Sequence, residues 1–195
     1  ARFRNAAAEI KGACETYLYD HQLGRFLKRI SVNSEGEIEP DSTVDVSLYA
    51  LWYFGMFDPN DPRIVGTMNA IVDRLSCRTD IGGLARYEGD EYHWDPDLRD
   101  QRDKIPGNPW IISTLWLAQY RIATARSVED LKQVLAALEW VCARALPSGV
   151  LPEQIHPLTG EHLSVAPLTW SHSTVVAVVQ EYLEKYEVLQ RDSPK

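Results

Sequence analysis

Apolar positions recur with a helical period along most of the chain. Over residues 2–20, Phe3, Ala6, Ala7, Ile10, Ala13, Cys14, Tyr17 and Leu18 fall at i, i+3, i+4 spacing and predict a helix. The period then breaks. Across 24–38, R-F-L-K-R-I and E-I-E flank S-E-G, the pattern of a short β-hairpin or a long excursion. Asp41-Ser-Thr43 reads as the cap of a second helix through Ala50, Leu51, Trp52 and Phe54, closed by Gly55. Asp61-Pro62 opens a third, with Pro62 in its first turn and Ile64, Val65, Met68, Ile71, Val72 and Leu75 on its apolar face.

A polar, irregular stretch follows over 78–107, with Gly82-Gly83 and a cluster of aromatic and charged side chains, Arg86, Tyr87, Asp90, Tyr92 and Trp94. A loop this long inside a compact protein is usually functional. Asn108-Pro109 is read as the cap and start of a fourth helix, with Trp110, Ile111, Thr114, Leu115, Leu117 and Ala118 turned inward. A fifth is expected over 127–144, with Ser127 as N-cap and Glu129-Asp130 in the first turn, where the helix dipole favours anions. A second long loop fills 149–172, and a sixth helix is expected over 173–189. Helix, long loop, helix repeats along the chain. The prediction is an all-α fold of antiparallel helix pairs, with loops 78–107 and 146–171 gathered at one end.

Composition narrows the classes. With 195 residues, 45% hydrophobic and 25% charged, the chain can bury a sizeable core and is not disordered. A net charge of −8 offers no basic face, which argues against nucleic acid or an anionic membrane as partner. No apolar run reaches the roughly 18 residues that span a bilayer. The expectation is a soluble chain, with the cytoplasm slightly favoured; no signal peptide opens the sequence, and a cut start leaves export open. Cys14, Cys77 and Cys142 are odd in number and sit in apolar helix-like settings, so they read as buried thiols. His21, His93, His156, His162 and His172 show no ligand spacing, and no metal or other cofactor is expected. There is no Gly-rich phosphate loop, no H-E-x-x-H and no strand–helix alternation, so nucleotide, zinc-protease and dinucleotide readings drop out.

The second loop carries the candidate chemistry. It is fixed by prolines and glycines and presents Glu153 between Pro152 and Gln154. A carboxylate near one end and Trp170 at the other suit sugar recognition, because indole faces stack on sugar rings. The plain alternative is a surface loop with an exposed glutamate.

Three blocks in order, R-Y-E-G-D-E-Y (86–92), G-N-P-W (107–110) with T-L-W-L-A (114–118), and L-P-E-Q (151–154) with P-L-T-W-S-H (167–172), resemble the glucoamylase family of glycosidases, glycoside hydrolase family 15. The resemblance implies an (α/α)6 toroid around a funnel-shaped pocket, and hydrolysis of a terminal α-glucosidic bond with inversion. Carried over by residue, Glu153 resembles the general base, Arg86 and Asp90 the residues that hold sugar hydroxyls, and Trp110 and Trp170 the aromatic wall. Gln154 either orients the water or holds the loop. Arg86 either meets sugar or pairs with Glu88 or Asp90. Trp110 is wall or core, and Tyr87 and Tyr92 are read as pocket rim.

The family's general acid lies upstream of the matched blocks and has no counterpart here, although inversion needs two carboxyls roughly 6.5–9.5 Å apart. About six helices are half a toroid. The chain is therefore expected to be the C-terminal half of the catalytic domain, partnered by the N-terminal half, with an unusually apolar inner surface. The stretch 94–106 departs from the family's short link and is expected to reshape the rim. The implied substrate is an α-glucan cleaved at its non-reducing end. A trehalose- or dextran-directed relative and a carbohydrate-binding protein without the acid are the alternatives.

Overall fold

The computed structural model describes residues 1–192. The chain divides into two compact units, Ala1–Arg74 and Leu75–Lys195.

In the first unit, α1 (Arg2–Ala13) continues as one π turn (Cys14–Leu18) into β1 (Tyr19–Asp20), which pairs with β2 (Arg25–Phe26). The Asp20 carboxylate closes the intervening turn by accepting from the Gln22 and Leu23 amides. The hairpin expected over 24–38 forms as β3 (Arg29–Val32) against β4 (Ile38–Asp41), its turn held by Asn33, whose side-chain oxygen accepts from the Glu35 and Glu37 amides. The second helix begins later than the sequence suggested. Asp45, not Asp41, takes the capping position, accepting from Ser47 N–H, and a 3-10 turn (Val46–Tyr49) leads into α2 (Ala50–Tyr53). Val44 and Val46 on either side are buried, which sets that turn, while Asp41 ends β4 and pairs with Arg29. Gly55 closes the element at φ +75, and Asp61 opens α3 (Pro62–Leu75) by accepting from Arg63 N–H.

In the second unit α4 (Ile111–Thr124) packs between α5 (Lys132–Cys142) and α6 (Thr169–Asp192). Their core joins Ile111, Leu115, Ile122, Leu131, Val134, Val141, Leu151, Ile155 and Val178. The helix-rich architecture expected from the periodicity holds, with one addition. Four two-residue strands, β5 (Leu84–Ala85), β6 (Pro109–Trp110), β7 (Gln154–Ile155) and β8 (His162–Leu163), form an antiparallel sheet in chain order. No alternation marks strands this short. The sheet draws β5 from the first long loop, and β7 and β8 from the second, into one place.

Element ends depart from the periodic reading where side chains take over. Asn108 does not cap α4; Trp110 holds the N-cap position in extended backbone, without a side-chain cap. Regular α5 begins at Lys132. Ahead of it Ser127 and Asp130 bond reciprocally, each side chain accepting from the other's amide, which also keeps the Asp130 carboxyl below its ordinary range through the Arg126 amide. The sixth helix starts at Thr169 rather than Ser173. The thiols are not all buried. Cys77 is, donating to Gly107 C=O, and burial pushes its thiol up to about 12; Cys14 is half-buried, and Cys142, at the end of α5, is exposed.

Apolar side chains also face outward. On α6, Val176, Val179 and Leu183 form an exposed stripe beside the core face, and on α1 Phe3 and Ile10 are exposed.

The turn leading to the sheet depends on Gly83. At φ +89, a Cβ there would lie 2.5 Å from the Trp140 ring and 2.8 Å from Pro109 Cβ. Both are stiff, and the backbone itself disfavours an L side chain. Gly83→Ala is expected to lower the unfolding free energy by about 2–3 kcal/mol, read as a lower urea midpoint at unchanged slope.

Candidate active site

The segment carrying Glu153 is tied at each backbone polar group. Leu151 N–H donates to His172 Nε2 (3.1 Å), and Leu151 C=O accepts from Leu168 N–H (3.1 Å). Pro152 has no N–H, and its C=O accepts from Ser171 Oγ (2.8 Å). Glu153 N–H donates to Val165 C=O (2.9 Å), and its C=O accepts from Ile111 N–H (3.2 Å). One side of the strand is thus held by the start of α6, and the other meets the first turn of α4. The carboxylate is left half-buried, with Oε2 accepting from the Ser164 hydroxyl. Ser164 adopts φ +64, a conformation a serine rarely takes, and in it the hydroxyl reaches the carboxylate.

Gln154 is fully buried in β7, opposite Trp110 of β6. Its Oε1 accepts from Asn108 Nδ2 (2.9 Å), and the same Nδ2 donates to the carbonyls of Tyr92 (3.3 Å) and His93 (2.9 Å). The side chain read as a helix cap therefore clips the rim turn at 92–93, where His93 has φ +55, to the strand beside Glu153. Gln154 Nε2, Asn108 Oδ1 and Trp110 Nε1 are buried without a protein partner.

Arg86 follows β5 directly. Its Nε and Nη2 bond both oxygens of Asp90, at 2.9 and 2.7 Å. The pairing with Asp90 that the sequence offered is formed. Asp90 is 1% exposed, and its Oδ1 also accepts from Tyr92 N–H (3.1 Å). Gly107 leaves room for it, since a Cβ there would come within 3.0 Å of Asp90 Cβ. Burial alone would depress the Arg86 guanidinium, but the Asp90 pairing outweighs it and holds the group above its ordinary range. The guanidinium lies over three rings, Trp110 at 4.4 Å, Tyr87 at 4.8 Å and Tyr92 at 5.5 Å.

Arg86, Tyr87, Asp90, Trp110, Glu153 and Gln154 are therefore brought together along one small sheet. Trp110 is buried under Arg86, whereas Tyr92 is exposed. Trp170 stands in the first turn of α6, more than half exposed, with its ring edge-on to Trp116 at 5.6 Å. The stretch 94–106 packs down on the site's flank: Arg102 lies over the Trp94 ring (3.8 Å) and bonds the carbonyls of Asp90 and Pro106, while Leu98 and Ile105 are buried. Sequence reasoning missed Asn108 as a cross-link and Ser164 altogether; a polar side chain whose role depends on a contact 46 or 11 residues away has no local signal.

An uncharacterized glycosyl hydrolase of Methanocaldococcus jannaschii is 32% identical over 175 residues, 85% of this chain and 25% of that protein. A trehalase of Thermoplasma acidophilum is 29% identical over 154 residues, covering 79% and 24%, and a glucoamylase of Clostridium sp. is 27% identical over 154, covering 78% and 21%. The chain spans about a quarter of the length of these curated relatives. Among solved structures, a bacterial glucoamylase complexed with acarbose superposes with a TM-score of 0.74 at 18% identity, over 96% of this chain and 31% of that one. A glycosidase in complex with glucose gives 0.66 at 22%, over 91% and 43%. These likenesses give the fold, part of the glucoamylase (α/α)6 toroid. The sequence model of glycosyl hydrolases family 15 matches residues 7–180, and the chain belongs to that family.

Proposed function

We propose that this chain forms the C-terminal part of the catalytic domain of an inverting glycosidase that releases glucose from the non-reducing ends of α-glucans, with Glu153 as general base. The observation that carries the reading is the fixation of Glu153. Its backbone is bound on both sides, while its carboxylate stays half-buried with a hydroxyl donor on one oxygen. A base needs this combination, ionised and in reach of water yet fixed within a fraction of an ångström. In the proposed step the free carboxylate oxygen takes a proton from a water as that water attacks the anomeric carbon. A second carboxyl, the general acid, protonates the leaving oxygen from the opposite face, and it belongs to the stretch of the relatives that this chain does not cover.

The rest of the site has supporting parts. Arg86 presents its remaining donors to sugar hydroxyls, with Asp90 holding it in place, so that Asp90 acts through Arg86 rather than by its own contact. Tyr87, Tyr92, Trp110 and Trp170 supply aromatic surface, and Gln154 holds the strand beside the base. The exposed apolar stripe on α6 fits a face covered by the N-terminal part of the same enzyme.

A second substrate reading is favoured by the trehalase relative, which is as similar to this chain as the glucoamylase is. The proposed site would hold one glucosyl unit, which trehalose shares with maltose. The test is an initial-rate assay of the full-length enzyme on reducing-end-labelled maltotriose and on trehalose. Labelled maltose as the first product is the expected result. Hydrolysis of trehalose alone would move the reading to that substrate, and inertness toward both would leave a carbohydrate-binding role.

A further inference from the structure

Two bonds that fix the Glu153 strand end on adjacent side chains of α6, Ser171 and His172, and only the second can be switched by a proton. The Leu151 amide can only donate, so the ring nitrogen it meets at 3.1 Å, Nε2, must be unprotonated, and Nδ1 carries the ring proton. Protonating the ring turns Nε2 into a donor, sets two donors against each other and abolishes the bond. Pro152 lies between Leu151 and Glu153. Its ring fixes φ, so a displacement of Leu151 passes along the chain with little absorbed at that joint.

We infer that His172 is a positioning residue for Glu153, holding the strand only in its neutral form. The inference rests on the reading of Glu153 as the base. Among the described residues the ring makes no ion pair. On the strand, β8, α4 and α5 the charged or titratable side chains are Glu153, His162, Tyr120, Arg121, Lys132, Glu139 and Cys142, with Arg144 just after α5. Arg144 is engaged through its own C=O with the His162 ring, and the hydrogen bond to the His172 ring comes from Leu151 N–H. Neighbouring histidines act differently: His156 accepts from the Leu158 and Thr159 amides within its own turn, away from the 151–153 segment.

The experiment compares kcat across pH 5–8 for the full-length wild type, H172F and H172Q. Phenylalanine keeps a flat ring but offers no acceptor, so kcat falls about tenfold or more at every pH while KM changes little. Glutamine offers an acceptor oxygen that takes up no proton, and recovers most of that loss at pH 7.5. As the pH falls, wild-type kcat drops through an additional ionisation that H172Q lacks, so the H172Q to wild-type ratio rises by about tenfold toward pH 5. Parallel profiles for H172Q and wild type would overturn the inference, as would an H172F enzyme with normal kcat. If H172F does not fold, judged by its thermal melt, the H172Q profile decides alone. The base reading is tested separately: parallel profiles together with an inactive E153Q enzyme sink only the role of His172, whereas an active E153Q enzyme removes the base itself.

Discussion

Replacing Glu153 by glutamine in the full-length enzyme is expected to lower kcat by ~10²–10⁴-fold, with KM little changed. Glutamine keeps the size and one acceptor oxygen, so Ser164 retains a partner, and the backbone bonds of 151–153 do not involve the side chain. What is lost is the charge that draws a proton from water. Because the contacts that hold the strand are main-chain, the melting temperature should move by no more than a degree or two. Small anions such as azide are expected to restore part of the activity to a side chain shortened to alanine, by taking the place of the attacking water. A kcat near that of wild type for Glu153→Gln would place the base elsewhere.

Removing the Asp90 carboxylate should be nearly as severe, and by a different route. Asp90→Ala leaves the Arg86 guanidinium without the partner that fills two of its donors, inside a cage of three rings. Breaking a buried pair costs about 3–5 kcal/mol. Arg86 keeps about a third of its side chain in water, so the expected loss of stability is nearer about 2–3 kcal/mol. The Tyr92 amide also loses its acceptor, which loosens the rim turn. A guanidinium free to swing no longer meets the sugar in a fixed geometry, and kcat/KM should fall about 10²-fold. Urea unfolding and steady-state kinetics on the same preparation separate the two effects. Full kcat/KM in a destabilised Asp90→Ala protein would mean that Arg86 does not bind substrate.

The sequence carried the helices well, because α3 and α6 each bury one periodic face that a spacing rule detects, while α4 is apolar and buried on nearly every side. It carried Glu153 through the rigidity of its loop and the resemblance of L-P-E-Q to known glycosidases. Elements defined by side-chain bonds were not legible in the same way. Asn108 before Pro109 reads locally as a helix cap, yet its amide is spent on Gln154 and on two carbonyls of the rim turn. Asp41 and Asp45 are equally good caps on paper, and the burial of Val44 and Val46 decides between them. The four short strands have no alternation to detect, since two residues do not make a period. Ser164 illustrates the remaining gap: its position beside Glu153 depends on a backbone conformation that serine seldom adopts, and nothing in S-V-A-P announces it.

The pairing of L-P-E-Q with P-L-T-W-S-H has a physical reason that the two motifs alone do not reveal. The second motif is the start of the helix whose Leu168 amide, Ser171 hydroxyl and His172 ring bind the backbone of the first. The catalytic reading and the helix start are therefore one structural unit, and a change in either is expected to appear as a change in kcat.

The most direct test of the account is the anomeric form of the glucose first released. Proton NMR during the opening seconds of maltose or maltotriose hydrolysis by the full-length enzyme distinguishes the two anomers before mutarotation mixes them. A base acting through water on the face opposite the leaving group predicts β-glucose as the first product. Release of α-glucose would require a covalent intermediate on a carboxylate, and would contradict Glu153 as the general base of an inverting glycosidase.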